Sequence, residues 1–117
     1  MNKFEKISAM INNTPMLEIS LKYQGLRRKV YAKAEYYNFT GSIKDRIAYN
    51  ILKSSYEAGL IKKGDIIAEA SSGNTGIAFS AMGAFLENPV HIFMPDWMSE
   101  ERKKLLESFG ATIHLVS

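Results

Sequence analysis

The strongest constraint in this sequence is a regular alternation of helical and strand-like hydrophobic patterns from residue 42 onward. Short segments containing glycine, proline or serine separate these patterns. Strands that alternate with helices across short loops form a parallel sheet with right-handed crossovers, so the sequence predicts an α/β fold of βα units. The predicted order is helix 42–58, strand 66–70, helix 77–86, strand 90–94, a helix between Ser99 and Gly110, and strand 112–116.

Two further patterns refine this picture. Residues 17–21 and 30–34 each alternate apolar and polar side chains on either side of Gly25, which predicts an N-terminal β-hairpin of two half-buried strands. Residues 77–86 are apolar on nearly every side of a helix, so this helix should be buried.

Composition excludes several classes of site. The 117 residues contain no cysteine, which rules out disulfides and thiolate metal sites. His91 and His114 lie far apart without neighbouring carboxylates, so we interpret them as strand residues and expect no metal site. A net charge of +3 without a long basic run does not indicate nucleic-acid binding. Since residues 77–86 are too short to span a bilayer and the N-terminus has no signal-peptide pattern, we expect a soluble, cytoplasmic protein.

Lys44 is the first candidate for chemistry. Ser42 and Asp45 have the spacing of a capping box, which predicts that a helix begins there and that Lys44 lies in its first turn. The positive end of the helix dipole disfavours a charged ammonium at that position. A lysine in this place can act as a neutral amine nucleophile.

The residues around Lys44 leave two interpretations open. Ile43, Ile47 and Ile51 form an apolar stripe at helical spacing, and Lys44 lies beside it with Ala48, at the rim of what should be a buried face. The alternative is a solvated surface lysine next to a helix cap, which is the commoner situation for lysine.

Residues 71–76 are the second candidate, because they connect a strand to a helix. Glycines there let the backbone approach a ligand, and free amides at the helix start point towards an anion. Ser71, Ser72 and Thr75 add hydroxyl donors, and Asn74 adds an amide. The loop suits a small anion such as a carboxylate, although an ordinary βα loop with a serine cap explains it equally well.

Four separated motifs together resemble the N-terminal part of cysteine synthase (O-acetylserine sulfhydrylase), a fold-type II pyridoxal-phosphate enzyme. The resemblance covers nearly the whole chain and implies a three-layer α/β domain. Its motifs are Asn13-Thr14-Pro15, Gly41-Ser42-Ile43-Lys44-Asp45-Arg46-Ile47-Ala48, Ser72-Gly73-Asn74-Thr75-Gly76-Ile77-Ala78, and Met94-Pro95 with Met98-Ser99-Glu100-Glu101-Arg102.

The resemblance implies a role for each candidate residue. Lys44 would form the Schiff base with pyridoxal 5'-phosphate, and Asn74 would hydrogen-bond the ring hydroxyl oxygen of the cofactor. The substrate α-carboxylate would be held by Ser71, Ser72, Gly73, Asn74 and Thr75. Ser71 stands where the family usually has threonine, which preserves the hydroxyl group.

The implied activity is β-replacement on an O-activated serine, with sulfide or another thiol as nucleophile, in a full-length protein that forms a homodimer. Serine dehydratase and cystathionine β-synthase chemistry are the nearest alternatives. Because family chains are more than twice as long, residues 1–117 would be an N-terminal domain without the C-terminal domain that binds the cofactor phosphate. Such a chain would be weakly active or inactive alone, or a non-catalytic homologue that binds a small anion or a full-length partner.

Overall fold

The computed structural model describes all 117 residues. It contains four α-helices, five strands and one short 3-10 helix. None of the helices has both the length and the hydrophobicity that a membrane span requires. In chain order the elements are α1 (Lys3–Ser8), β1 (Met16–Tyr23), β2 (Leu26–Lys33), the 3-10 helix (Glu35–Tyr37), α2 (Lys44–Glu57), β3 (Ile67–Ala70), α3 (Asn74–Leu86), β4 (Val90–Pro95), α4 (Glu100–Ser108) and β5 (Thr112–Val116).

The predicted parallel sheet is present, with strand order β3-β4-β5. Its central strand β4 buries Val90, Ile92 and Met94 in a core to which α2, α3 and α4 also contribute side chains. The alternate residues of β4 include Phe93, which is exposed on the opposite face. The α/β prediction is therefore confirmed, and of the three expected layers the chain holds the sheet and one helical layer.

Helix α3 is buried on almost every side, as predicted. Nine of its thirteen residues are buried. It approaches β4 closely at Gly83, where a Cβ atom would lie 2.2 Å from Cγ2 of Val90. The helix begins at Asn74, three residues earlier than predicted, so Asn74 and Thr75 belong to its first turn.

The N-terminal hairpin forms as predicted, with β1 and β2 antiparallel and Leu17 opposite Ala32. The expectation that its strands are half-buried is wrong. All eight residues of β1 are exposed, including Ile19 at 42%. The reason is that the two strands pack against each other and against no other helix or strand of the chain.

The predicted capping box at the start of α2 is also wrong. The helix begins at Lys44, and the Ser42 hydroxyl accepts the Lys44 amide at 3.1 Å. The Asp45 carboxylate is fully buried and turns back to Thr40, accepting its amide at 2.6 Å and its hydroxyl. The helix starts one residue later than the box requires, and the Asp45 carboxylate bonds to Thr40 instead of to the Ser42 amide.

The prediction that the apolar stripe of α2 is buried is wrong. Ile43, Ile47 and Ile51 are all about half exposed, at 52%, 43% and 47%. The buried side of the helix instead contains Ala48 and Leu52. The two faces differ by one residue, which corresponds to about 100° of rotation around a helix. Small and aliphatic side chains next to the stripe therefore form the contact with α3.

Candidate active site

The loop after β3 is held together by the hydroxyl of Ser71. Its Oγ accepts the amides of Gly73 at 3.2 Å and Gly76 at 2.9 Å, and the Ser71 amide donates to the carbonyl of Phe93 at 3.1 Å. A Cβ atom on Gly76 would lie 3.3 Å from the Ser71 side chain, so this close approach favours glycine. Since Oγ accepts both bonds, the hydroxyl proton of Ser71 remains available for donation.

The start of α3 presents free hydrogen-bond donors. Gly73 precedes the helix without a side-chain cap, and the amides of Asn74 and Thr75 have no acceptor within the chain. The side chains of Ser72 and Asn74 are exposed at the same end. A positive helix end with unpaired amides is suited to a small anion.

A cavity of about 300 Å³ joins the two stretches predicted from sequence. Thr40 enters it from the turn before α2, and Asn74 enters it from the first turn of α3. The remaining lining residues are Ile77, Ser99, Glu101, Arg102 and Leu105.

The other predicted site residues do not line this cavity. Gly73 is close to α4, since a Cβ atom there would lie 3.5 Å from Nη1 of Arg102. Lys44 is half-buried, and its ammonium forms neither an ion pair nor a hydrogen bond with the protein. A second cavity, of about 450 Å³, lies at the hairpin and is lined by none of the predicted residues.

Arg46, two residues after Lys44, forms an ion pair that the sequence did not predict. Arg46 donates from Nε and Nη2 to the two carboxylate oxygens of Glu35, at 2.8 and 3.0 Å. Its Nη1 donates to Oδ1 of Asn12 at 2.6 Å, and Thr14 donates its hydroxyl to Glu35 at 2.7 Å. The Arg46 guanidinium, with Thr14, lowers the pKa of the Glu35 carboxyl to about 2.

Asn38 extends this network towards the lysine. It is 5% exposed, and its amide group donates to the Glu35 carboxylate at 2.7 Å and to the carbonyl of Ser42 at 3.2 Å. Its Oδ1 accepts the amide of Asn12 at 3.0 Å. Thr14 and Arg46 both belong to the motifs that carry the family resemblance. Their spacing of 32 residues gave no indication that they touch.

The two histidines are strand residues, as predicted, in β4 and β5. The structure also brings them together, with Nδ1 of His91 2.8 Å from Nε2 of His114. The His114 ring stacks on Phe93 with centroids 4.5 Å apart.

Comparisons with known proteins identify the family of this chain. Residues 7–117 match the model of the pyridoxal-phosphate dependent enzyme family. The chain belongs to this family. It is 40% identical over 114 residues to the cysteine synthase of Aquifex aeolicus, which covers 95% of this chain and 35% of that protein. It is also 41% identical over 105 residues to cystathionine beta-synthase of Rattus norvegicus, covering 88% of this chain and 19% of that protein.

A family structure agrees closely with this fold. The crystal structure of a hydrogen sulfide-producing enzyme from Fusobacterium nucleatum matches with a TM-score of 0.94 and 59% identity. The match covers 98% of this chain and 34% of that one. The chain therefore spans about a third or less of the length of these relatives.

Proposed function

We propose that this chain is the N-terminal, lysine-bearing domain of a cysteine synthase-like enzyme. Its reaction replaces the β-substituent of an O-activated serine with sulfide or another thiol. The observation that carries the proposal is the shared cavity, in which the turn leading to Lys44 meets Asn74 of the anion-binding loop. Cysteine synthases among the relatives support the choice of reaction.

The side chains present fit pyridoxal phosphate as the cofactor. The Lys44 amine has no competing partner in the protein, and the exposed amide of Asn74 faces the cavity. Lys44 would attach the cofactor covalently, and Asn74 would hydrogen-bond its ring hydroxyl oxygen. When bound, pyridoxal phosphate supplies an electron sink for the substrate α-carbon.

The protein itself contributes binding, orientation and proton transfer. The free amides of Asn74 and Thr75, with the hydroxyls of Ser71 and Ser72, would hold the substrate α-carboxylate at the positive end of α3. This fixes the substrate relative to Lys44, whose Nζ would act as the general base.

The remainder of the enzyme is part of the same proposal. Because the chain spans about a third of the Aquifex cysteine synthase, we propose that the complete reaction requires the further two thirds, joined to this domain or supplied by a partner. The substrates would be a small amino acid and a thiol or sulfide, and the full-length form would be a homodimer.

A second candidate is release of hydrogen sulfide from a thiol-bearing amino acid. The 59% identity to the Fusobacterium enzyme favours it, since identity to the Aquifex cysteine synthase is 40%. Assays that supply O-acetylserine with sulfide, or cysteine alone, separate the two. Cysteine formation supports the first reaction, and sulfide release supports the second.

Two alanine variants test the site itself in a form of the protein that carries the cofactor. Asn74→Ala should shift the visible absorbance of the cofactor, because in this proposal Asn74 would hydrogen-bond its ring hydroxyl oxygen. Ser72→Ala should leave the spectrum unchanged and weaken amino-acid binding, because a charge-assisted hydrogen bond contributes about 1.5–3 kcal/mol. Unchanged spectra and unchanged affinity in both variants would contradict the assignment.

A further inference from the structure

The ion pair of Glu35 and Arg46 connects the segments that lead into Lys44. Glu35 belongs to the 3-10 helix after β2, and Arg46 lies in the first turn of α2. Asn12 and Thr14, from the loop before β1, bond to the same guanidinium, at 2.6 and 3.3 Å. Three chain segments thus meet at a single side-chain pair.

Two sets of side-chain bonds hold the turn that precedes Lys44, and the first belongs to the network of Glu35 and Arg46. On one side, Asn38 bonds to the Glu35 carboxylate and to the carbonyl of Ser42. On the other side, the buried Asp45 holds Thr40 through its amide and hydroxyl. Two of these bonds reach the backbone of residues 38–46, one at the carbonyl of Ser42 and one at the amide of Thr40.

We infer that Glu35 and Arg46 are positioning residues that fix the backbone of Lys44 relative to Asn74. The inference rests on the proposed function for the role of Lys44 itself. Arg46 forms two parallel bonds with Glu35, which restrict rotation as well as distance. A reacting amine needs such control, since a displacement of about 1 Å can lower a rate by roughly a hundredfold.

The other ion pair of α2 provides a matched control. Lys53 and Glu57 pair at the opposite end of the helix, where both side chains are exposed at 40% and 63%. This pair lies within one helix and connects no other segment. Glu57→Gln and Glu35→Gln each remove one carboxylate that is paired with a basic residue of α2. Only Glu35→Gln changes the network around Arg46.

Hydrogen exchange in the 117-residue chain tests the positioning without any cofactor. In Glu35→Gln, exchange of peptides covering residues 38–48 should rise by roughly tenfold, while peptides covering residues 77–86 remain protected. Glu57→Gln should leave both regions unchanged. Unchanged exchange in residues 38–48, or an equal rise in both regions, overturns the inference. Arg46→Lys, which keeps the charge and loses the parallel bonds, gives the same test if Glu35→Gln does not fold.

Two lysine reactions then separate positioning from simple exposure. Reductive methylation by formaldehyde should become about threefold faster at Lys44 relative to the exposed Lys104 in Glu35→Gln, because the turn opens. Capture of pyridoxal phosphate by Lys44 under borohydride should instead fall by roughly tenfold. If both reactions rise together, or neither changes, Glu35 does not position the amine. If the wild-type chain captures the cofactor at another lysine and not at Lys44, the proposed function fails, and exchange and methylation alone decide this inference.

Discussion

The β1–β2 hairpin and the β3–β5 unit differ in whether the apolar side chains of their strands are buried. Both contain a strand with apolar side chains at every second residue, including Ile19 in β1 and Ile92 in β4. In the β3–β5 unit, the apolar side of β4 is buried under α3. In the hairpin, every residue of β1 is exposed, and neither strand packs against another element.

This difference shows what hydrophobic alternation specifies. Alternation fixes which residues share a face of a strand, because successive side chains point to opposite sides. It does not specify what covers that face. The β3–β5 unit obtains its cover from α3, which lies between β3 and β4 in sequence, whereas the hairpin packs against no helix of these 117 residues.

The largest effect should come from truncating an isoleucine in each region. Ile92 is 0% exposed in β4, and Ile19 is 42% exposed in β1. Ile92→Ala should lower the free energy of unfolding by about 2–5 kcal/mol, because it leaves a cavity in the core. Ile19→Ala should change it by about 0.5 kcal/mol or less.

Chemical denaturation of the two variants checks this difference. A loss at Ile19 equal to that at Ile92 would contradict the exposed hairpin. A loss at Ile19 that grows with protein concentration would show that a second copy covers it.

Glycines give a second contrast between the regions. Gly83→Ala should destabilise the chain by about 1–3 kcal/mol, since the new methyl group would overlap the stiff side chain of Val90. Gly25 in the hairpin has open space around it and a φ of +75°, so Gly25→Ala should cost about 1 kcal/mol through backbone strain alone. Gly25→Asn should recover most of that loss, because asparagine tolerates this conformation. Equal recovery by Gly83→Asn would contradict the close packing of α3 on β4.

Adjacent serines test the loop of the β3–β5 unit. Ser71→Ala removes the acceptor for two backbone amides and should cost about 1–2 kcal/mol in the free energy of unfolding. Ser72 has an exposed side chain, so Ser72→Ala should change stability by about 0.5 kcal/mol or less. Thermal unfolding of the two variants measures the difference. Equal melting temperatures would show that Ser71 does not hold the loop.

The smallest effect concerns acid stability where the hairpin joins the rest of the chain. The pKa of Glu35 is lowered from 4.5 to about 2, so the folded state favours its charged form. The resulting stabilisation is present above pH 4.5 and is lost as the pH falls towards 2. Glu35→Gln should therefore be less stable than the wild type at neutral pH and show a weaker loss between those pH values. Parallel curves for the two proteins over this range would contradict the ion pair.

The features that the sequence predicted correctly depend on neighbours within a few residues. Ser99 caps α4 by accepting the amide of Arg102, and Gly59 and Gly110 follow their helices with positive φ. The buried helix α3 was also predictable, because a helix that is apolar on all sides is buried.

The sequence predictions that failed concern contacts between residues distant in sequence, or surfaces whose packing partner the sequence does not reveal. Nothing in the spacing of Asn12 and Arg46 indicates that they bond, since their contact depends on the fold of the segments between them. The Ile43–Ile51 stripe was predicted to be buried because its period is helical, yet helical period does not reveal which of two adjacent faces meets α3. Asp45 fits a capping box by spacing, but the helix starts one residue later than the box requires and Asp45 bonds to Thr40.

The lysine that captures pyridoxal phosphate identifies the reactive amine of this domain, and it can be found by chemical labelling. The protein would be equilibrated with the cofactor, reduced with borohydride and digested for peptide mapping, with Lys44→Arg as the control. We expect a pyridoxyl group on Lys44 in the wild type and no replacement site in the variant. A label of equal yield on Lys33 or Lys53, unaffected by Lys44→Arg, would contradict this expectation.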